Sequence, residues 1–197
     1  MSAPEGRFEV AAPPGVGLGS CLADVVGLAA LRGRTHDLQG IANSRSLSLP
    51  APGRIAVAGN ILVLCVRPAR WLLLDSPASP GAATSLWQEL CAGTGAAVDL
   101  SCGLTALHLT GPDAREALTR GCRLDLDPEV FPVGHAAATI MAQVAAILAA
   151  VPSGMLILTP ASTAQHFREW LAAAARPFGL ARRADVTVSD LSGDQYS

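Results

Sequence analysis

Short runs of apolar residues separated by turn-forming residues predict β-strands in the first half of the chain. The runs 61–66 and 71–74 flank Arg67-Pro68-Ala69-Arg70, a spacing typical of two buried strands joined by a tight turn. An earlier apolar run at 26–32 predicts another strand and is followed by a polar segment up to Ser48. These patterns predict a sheet that contains a β-hairpin.

Two segments carry apolar residues at helical spacing. In the first, Ser79 is an N-cap candidate before Pro80, and a stripe that includes Trp87 follows. In the second, Ser162 and Gln165 form a capping-box pattern, and the stripe behind it consists of Phe167, Trp170, Leu171 and Ala174. We therefore predict one helix at each place, with Trp87 buried by the first.

Between these helices, alternation of apolar and polar residues over 105–110 predicts a strand. Gly111-Pro112-Asp113 then turns the chain into a helix over 114–120. The almost wholly apolar stretch 136–151, together with the run 155–158, predicts two or three strands. Because 136–151 is rich in alanine, a helix over this stretch is the alternative interpretation.

A weak internal repeat relates the two halves. An offset of 83 residues carries Ser79 to Ser162 and Trp87 to Trp170, with similar sequence before each pair. The repeat predicts an α+β fold of two related βαββα-like lobes with mixed or antiparallel sheets, although a chance match is an open alternative. The predicted organisation is an extended N-terminal arm (1–25), a first lobe (26–97), a second lobe (98–180) and a polar C-terminal tail (181–197).

The composition of the chain bears on its partners. Half of the residues are hydrophobic and only 15% are charged, which is apolar for a soluble domain and predicts that some surface meets a partner. The alternative is that many of these residues are alanines, which bury little area. All 14 basic residues are arginines without a basic run, so we expect no nucleic-acid partner.

The chain start lacks the pattern of a secretion signal, and no apolar run reaches the roughly 18 residues that span a bilayer. We therefore predict no membrane partner and a cytoplasmic location. Five cysteines with no close pair are expected to be thiols, since a reducing compartment disfavours disulfides.

The histidines give little sign of catalysis. His108 lies on a predicted strand, His135 in a loop and His166 on a helix, and each is expected to be structural. Cys122 and His135 can be proposed as a nucleophile and its base, but nothing in the local sequence indicates an activated thiol. The sequence predicts no catalytic residue.

Metal and nucleotide sites are also not predicted. Asp125 and Asp127 could hold a cation, yet a polar turn is the simpler interpretation. No Cys or His pair has the spacing of a tetrahedral zinc site. Gly15, Gly17 and Gly19 lack the dinucleotide-binding fingerprint and a preceding strand. We therefore predict no cofactor-binding or metal-binding residue in this chain.

Several segments together give the chain a family resemblance over roughly residues 45–176. The segments that carry the likeness are 49–50, 67–74, Val98-Asp99-Leu100-Ser101, Leu107-His108-Leu109-Thr110-Gly111-Pro112-Asp113, 114–118, Gly121-Cys122-Arg123-Leu124-Asp125-Leu126, Phe131-Pro132-Val133-Gly134-His135 and 167–171. In these segments the chain is similar to the sarcosine oxidase gamma family, and the strongest match covers Val98 to Gly134. Residues 160–164 depart from an Arg-Ser-Phe-Ala-like element of the family, which leaves the amine substrate open.

The resemblance implies a fold similar to the core of the folate-binding aminomethyltransferase of the glycine cleavage system. It implies a non-catalytic gamma subunit that assembles with alpha, beta and delta subunits. Those subunits would hold FAD, FMN, NAD and zinc, with tetrahydrofolate as co-substrate. The complex would oxidatively demethylate sarcosine or a related N-methyl amino acid.

Two other classes of function stay open. One is a free-standing folate-binding protein of the aminomethyltransferase fold. Gly121-Cys122 is similar to the Lys-Gly-Cys motif of iron–sulfur assembly relatives, but Arg120 stands in place of the lysine. The other is a small hydrolase, for which the sequence offers no motif.

Overall fold

The computed structural model describes residues 14–76 and 79–192. Residues 1–13 of the predicted arm and 193–197 of the predicted tail lie outside the described residues. In chain order the elements are β1 (Val16–Ser20), β2 (Asp24–Ala30), α1 (Thr35–Ser44), β3 (Arg54–Ala58), β4 (Ile61–Arg67), β5 (Arg70–Asp75), α2 (Ala82–Leu90), β6 (Gly95–Asp99), β7 (Leu104–Thr110), α3 (Ala114–Thr119), β8 (Ala136–Met141), β9 (Val144–Val151), β10 (Gly154–Pro160), α4 (Ala164–Ala175) and β11 (Leu180–Arg182).

The strands form two sheets with one shared order. The first-lobe sheet has the order β3-β4-β5-β2-β6, and its neighbours are antiparallel. The second-lobe sheet has the order β8-β9-β10-β7-β1-β11. Without β1, which lies between β7 and β11, the second sheet repeats the first strand by strand. The predicted α+β class with two sheets is confirmed, and each lobe has the order βαβββαβ.

The predicted lobe boundaries, 26–97 and 98–180, stay a prediction. The first-lobe sheet draws its strands from 24–99, and the second-lobe sheet draws its strands from 16–20 and 104–182. The end of the predicted arm thus contributes a strand to the second lobe.

The core consists of three apolar layers. One lies between the first-lobe sheet and α1 and α2, and another between the second-lobe sheet and α3 and α4. The third, which we call the inter-sheet layer, lies between the two sheets and includes Leu62 and Leu64 of one sheet and Leu156 and Leu158 of the other. Strands buried on both faces are continuously apolar, which explains the short apolar runs in the sequence.

Most predicted strands are found, and the helical alternative for 136–151 is wrong. This stretch forms β8 and β9, joined by a turn in which Ala142 and Gln143 both have positive φ angles. Two consecutive positive φ values match the twist of a tight β-hairpin. In the other half, β4 and β5 form the predicted hairpin, and Trp87 on α2 is buried as predicted.

Helix starts were predicted less well. Helix α2 begins at Ala82, where Gly81 with φ 77° is the N-cap, rather than Ser79. Helix α4 begins at Ala164 after one 3-10 turn (161–163), and no side chain caps it, so the capping box of Ser162 and Gln165 is wrong. Gln165 donates a hydrogen bond to Glu169 instead.

Several parts of the fold were not predicted, among them the strands β1, β3 and β11. The polar segment before Ser48 contains α1, whose Leu38 and Ala42 lie one turn apart and are buried under the first-lobe sheet. Residues 184–192 of the predicted polar tail pack onto the body, with Val188 and Leu191 in the inter-sheet layer. Within the described residues, no helix is long and apolar enough to cross a membrane.

Candidate functional site

His108 on β7 points into the inter-sheet layer, where it is 6% exposed. Its Nε2 lies 3.0 Å from Ser153 Oγ, and Ser153 Oγ lies 3.1 Å from the carbonyl oxygen of Leu191. The Ser153 backbone N–H also donates to Leu191. These bonds tie the C-terminal segment (residues 184–192) to the turn between β9 and β10.

The direction of these bonds argues against a nucleophilic serine. A carbonyl oxygen can only accept, so the Ser153 hydroxyl donates to Leu191 and Ser153 Oγ accepts from His108 Nε2–H. A serine nucleophile instead donates its proton to an unprotonated histidine nitrogen. The nearby Asp190 carboxylate accepts from the Thr187 N–H at 2.7 Å and from the Thr187 hydroxyl at 2.8 Å. The arrangement therefore fixes the C-terminal segment.

Burial lowers the pKa of His108, while its contact with Ser153 and the charge of Asp190 oppose this shift. The folded protein thus keeps His108 neutral at pH values where the unfolded chain, with a histidine pKa of about 6.5, already takes up a proton. The contribution of His108 to stability is fully present above about pH 6.5. It is lost as the pH falls from there toward the folded-state pKa.

We expect His108→Gln, which keeps a donor for Ser153 but does not titrate, to remove part of the stability loss between pH 7 and pH 5. The measurement is urea unfolding at several pH values. His166→Gln is the matched control, because His166 is exposed on α4. Equal slopes for His108→Gln and the wild type would contradict this account.

The structure does not bring Cys122 and His135 together. Cys122 pairs with Met141 at the end of β8, whereas His135 directly precedes its first residue. Six residues of extended strand span about 20 Å. His135 Nδ1 lies 3.0 Å from Nη1 of Arg54 and 3.1 Å from the carbonyl oxygen of Pro132, so the histidine belongs to a contact between the lobes.

Asp125 and Asp127 form a polar turn. Asp125 accepts from the backbone N–H of Asp127 at 3.0 Å, and Asp127 accepts from that of Glu129 at 2.8 Å. Across residues 14–76 and 79–192, no group of three or more His, Cys, Asp or Glu side chains is arranged to hold a metal ion. The two carboxylates therefore organise the loop backbone.

The glycines of the first segment serve packing. A Cβ atom at Gly17 would lie 2.6 Å from Arg183 Nε, and one at Gly19 would lie 2.6 Å from the Ala184 carbonyl oxygen. At Gly19 the neighbouring atom is backbone, so only glycine lets β1 approach the start of the C-terminal segment so closely there. These contacts give the glycines a role in packing the fold.

The five cysteines are unpaired thiols in the described structure, and Cys21, Cys65 and Cys91 are buried. Burial, with a smaller contribution from Asp190, raises the pKa of Cys21 to about 12. Because the thiolate is the reactive form, Cys21 is an inert core residue.

A cleft of about 530 Å³ opens where the two sheets separate, and we call it the inter-lobe cleft. The turn between β4 and β5 forms its first wall and carries Arg67 and Arg70, with Val66 and Leu72 beside them. The second-lobe wall is apolar except for Thr139, and its apolar residues are Leu104, Ala138, Ile140, Ala145, Ala146, Ile147, Leu158 and Pro160. The sequence carries no local signal for this cleft, because its opening depends on where one sheet stops covering the other.

The comparisons with known proteins agree with each other. The profile of the sarcosine oxidase, gamma subunit family matches residues 35–176. The sarcosine oxidase subunit gamma of Corynebacterium sp. (strain U-96) is 32% identical over 163 residues, covering 81% of this chain and 78% of that protein. The corresponding subunit of Arthrobacter sp. is 34% identical over 97 residues, covering 49% of this chain and 47% of that protein.

Solved structures give the same grouping. A chain of the heterotetrameric sarcosine oxidase from Corynebacterium sp. U-96, in complex with pyrrole 2-carboxylate, superposes with a TM-score of 0.74 at 30% identity, covering 86% of this chain and 88% of that chain. The glycine cleavage system aminomethyltransferase T from Bartonella henselae gives a TM-score of 0.62 at 13% identity, covering 91% and 50%; this likeness shows the fold alone. The chain belongs to the sarcosine oxidase gamma subunit family.

Proposed function

We propose that this chain is the gamma-type subunit of a sarcosine oxidase-type complex and carries no active site of its own. The observation that carries the proposal is the match to a chain of a heterotetrameric sarcosine oxidase, with a TM-score of 0.74 over 86% of this chain. The local geometry supports it. The Ser153 hydroxyl is committed to Leu191, and Cys122 and His135 lie at opposite ends of β8.

In this proposal the partners are alpha, beta and delta subunits, and they hold FAD, FMN, NAD and zinc. The packing of Gly17 and Gly19 against this chain's own C-terminal part supports placing the nucleotides elsewhere. The complex converts sarcosine, water and oxygen into glycine, formaldehyde and hydrogen peroxide, or passes the one-carbon unit to tetrahydrofolate. A related N-methyl amino acid would react in the same way.

The role of a free-standing folate-binding protein has less support. The likeness to the aminomethyltransferase is at 13% identity and spans only 50% of that protein. The gamma-subunit relative, in contrast, is 32% identical and is covered over 78% of its length. Family membership therefore favours the role of a subunit.

The test is co-expression of this chain with the candidate alpha, beta and delta subunits of the same organism. We expect native mass spectrometry to show all four chains at equal stoichiometry, with sarcosine-dependent production of hydrogen peroxide. Expression without this chain should abolish stable assembly. A Ser153→Ala variant that still assembles should retain its kcat, because Ser153 is not placed at reacting atoms.

Three outcomes would contradict the proposal. One is an active complex of the other three chains that excludes this chain. The second is a monomeric chain that binds tetrahydrofolate by itself, which would favour the folate-binding alternative. Activity lost in assembled Ser153→Ala would contradict the absence of an active site.

A further inference from the structure

The inter-sheet layer has two ends that are finished differently. Strand β10 runs from Gly154, beside the C-terminal segment, to Pro160, beside the inter-lobe cleft. Strand β5 runs in the opposite sense, from Arg70 at the cleft to the end where Ser76 contacts Val188. The C-terminal segment and the cleft therefore lie at opposite ends of both sheets.

At the closed end, the chain covers the layer with its own extended segment. Val188 and Leu191 are buried between the sheets. Backbone bonds fix the segment, since Leu22 N–H donates to Val186 and Val188 N–H donates to Ser76 Oγ. An extended strip with a few apolar side chains is thus sufficient to complete this layer.

At the open end, the same layer is left uncovered. Ile140 lies two pleats from Ala136, so both side chains point to the same face of β8. Ala136 is buried in the inter-sheet layer, whereas Ile140 is 56% exposed in the cleft. Ala145 beside it on β9 is exposed as well. An apolar face that continues a buried layer into solvent is typical of a binding surface.

The rim of the cleft is positively charged. Arg67 and Arg70 are exposed and stand directly opposite each other across the turn between β4 and β5. Like charges in this position repel. Among residues 14–76 and 79–192 the one ion pair joins Arg34 and Asp37, so neither rim arginine has a carboxylate partner there. A carboxylate in the occupant of the cleft would relieve this repulsion.

These features select among occupants. A second copy related by two-fold symmetry would place the same arginines of both chains at one interface. A binding site for a small molecule usually offers a few buried polar groups. The polar side chains that line this cleft are instead two exposed arginines and the half-buried Thr139. An extended peptide needs only the apolar wall and the charged rim.

We propose that the inter-lobe cleft binds an extended, acidic-apolar segment of a partner subunit, which inserts apolar side chains beside Ile140 and places a carboxylate between Arg67 and Arg70. The inference rests on the proposed role as a subunit. It adds the place and the chemistry of one contact: the partner completes the open end of the layer as the C-terminal segment completes the closed end.

The test uses the full chain co-expressed with its partner subunits. We expect Ile140→Glu to weaken retention of this chain in the complex by about tenfold or more on dilution, because the new charge would be buried in an apolar wall. Arg67→Glu combined with Arg70→Glu should weaken it by about tenfold and reverse its salt dependence. Native mass spectrometry gives the retained fraction.

Matched controls separate this effect from general damage. Val98→Glu alters a strand residue that is also 56% exposed, and Arg123→Glu alters an exposed loop arginine outside the cleft. Both should stay within about twofold of the wild type. Thermal unfolding of each isolated variant checks that it is folded. Equal retention of Ile140→Glu and Val98→Glu in complexes that do assemble would overturn the proposal that the cleft binds a partner. It would leave the proposed subunit role intact.

A photo-cross-linker identifies the occupant. With Ala145→p-benzoyl-L-phenylalanine in the assembled complex, we expect cross-links to a partner peptide that contains Asp or Glu. Cross-links to a second copy or to residues 1–13 of this chain would overturn the proposal, as would protection by tetrahydrofolate. If the wild-type chain does not assemble with the partners at all, both the subunit role and this inference fail.

Discussion

Phe167→Ala should lower the free energy of unfolding by about 3–5 kcal/mol, the usual cost of removing a buried aromatic ring. Phe167 is fully buried between α4 and the second-lobe sheet. Its ring centroid lies 5.5 Å from that of Trp170 in a tilted arrangement. The loss therefore combines burial, a cavity and an aromatic pair.

Urea unfolding of the isolated chain measures this effect, with His166→Ala as the matched control on the same helix. His166 is exposed, and its replacement should change stability by less than about 0.5 kcal/mol. A similar small change for Phe167→Ala would mean that α4 does not carry the core of the second lobe. Loss of this core should also reduce the amount of assembled complex.

Gly154→Ala should destabilise the protein by about 2–5 kcal/mol, combining backbone strain with overpacking. Gly154 opens β10 with a φ of 147°, and a Cβ atom there would overlap the carbonyl oxygen of Leu109. The strand would have to move away from β7. That movement would also disturb the neighbouring contact between Ser153 and His108.

The same substitution at Gly40 is the control and should have the opposite sign. Gly40 lies inside α1, and a Cβ atom there meets nothing within 4 Å. Gly40→Ala should therefore stabilise the protein by about 0.4–1 kcal/mol, through a less flexible unfolded chain and better helix propensity. Thermal or urea unfolding of both variants measures the difference, and equal signs would contradict the assigned conformations.

The two halves of the chain divide the work of covering apolar surface. Each lobe buries one face of its sheet under helices, and the two remaining faces cover each other. The sheets do not overlap completely, so one end needs the C-terminal segment and the other leaves the inter-lobe cleft. This incomplete coverage leaves apolar surface exposed in the cleft, including Ile140.

The sequence by itself determined the features that depend on neighbouring residues. Alternation and apolar runs placed β4, β5 and β7, helical spacing placed α2 and α4, and combined motifs indicated the family. Local signals were weaker at helix starts: Ser79 and Ser162 have the right chemistry for caps, yet the helices begin beyond them. Packing of the helix on the sheet outweighed the capping preference there.

Only the tertiary structure decided the features that join distant parts of the chain. Helix α1 packs through its two buried residues, Leu38 and Ala42, because the first-lobe sheet lies beneath them. The polar tail packs onto the body because Val188 and Leu191 fit into the closed end of the inter-sheet layer, which both lobes build. His108 meets Ser153 across 45 positions. The cleft exists because two sheets end at different places, and a pattern of residues along one strand does not encode where another sheet ends.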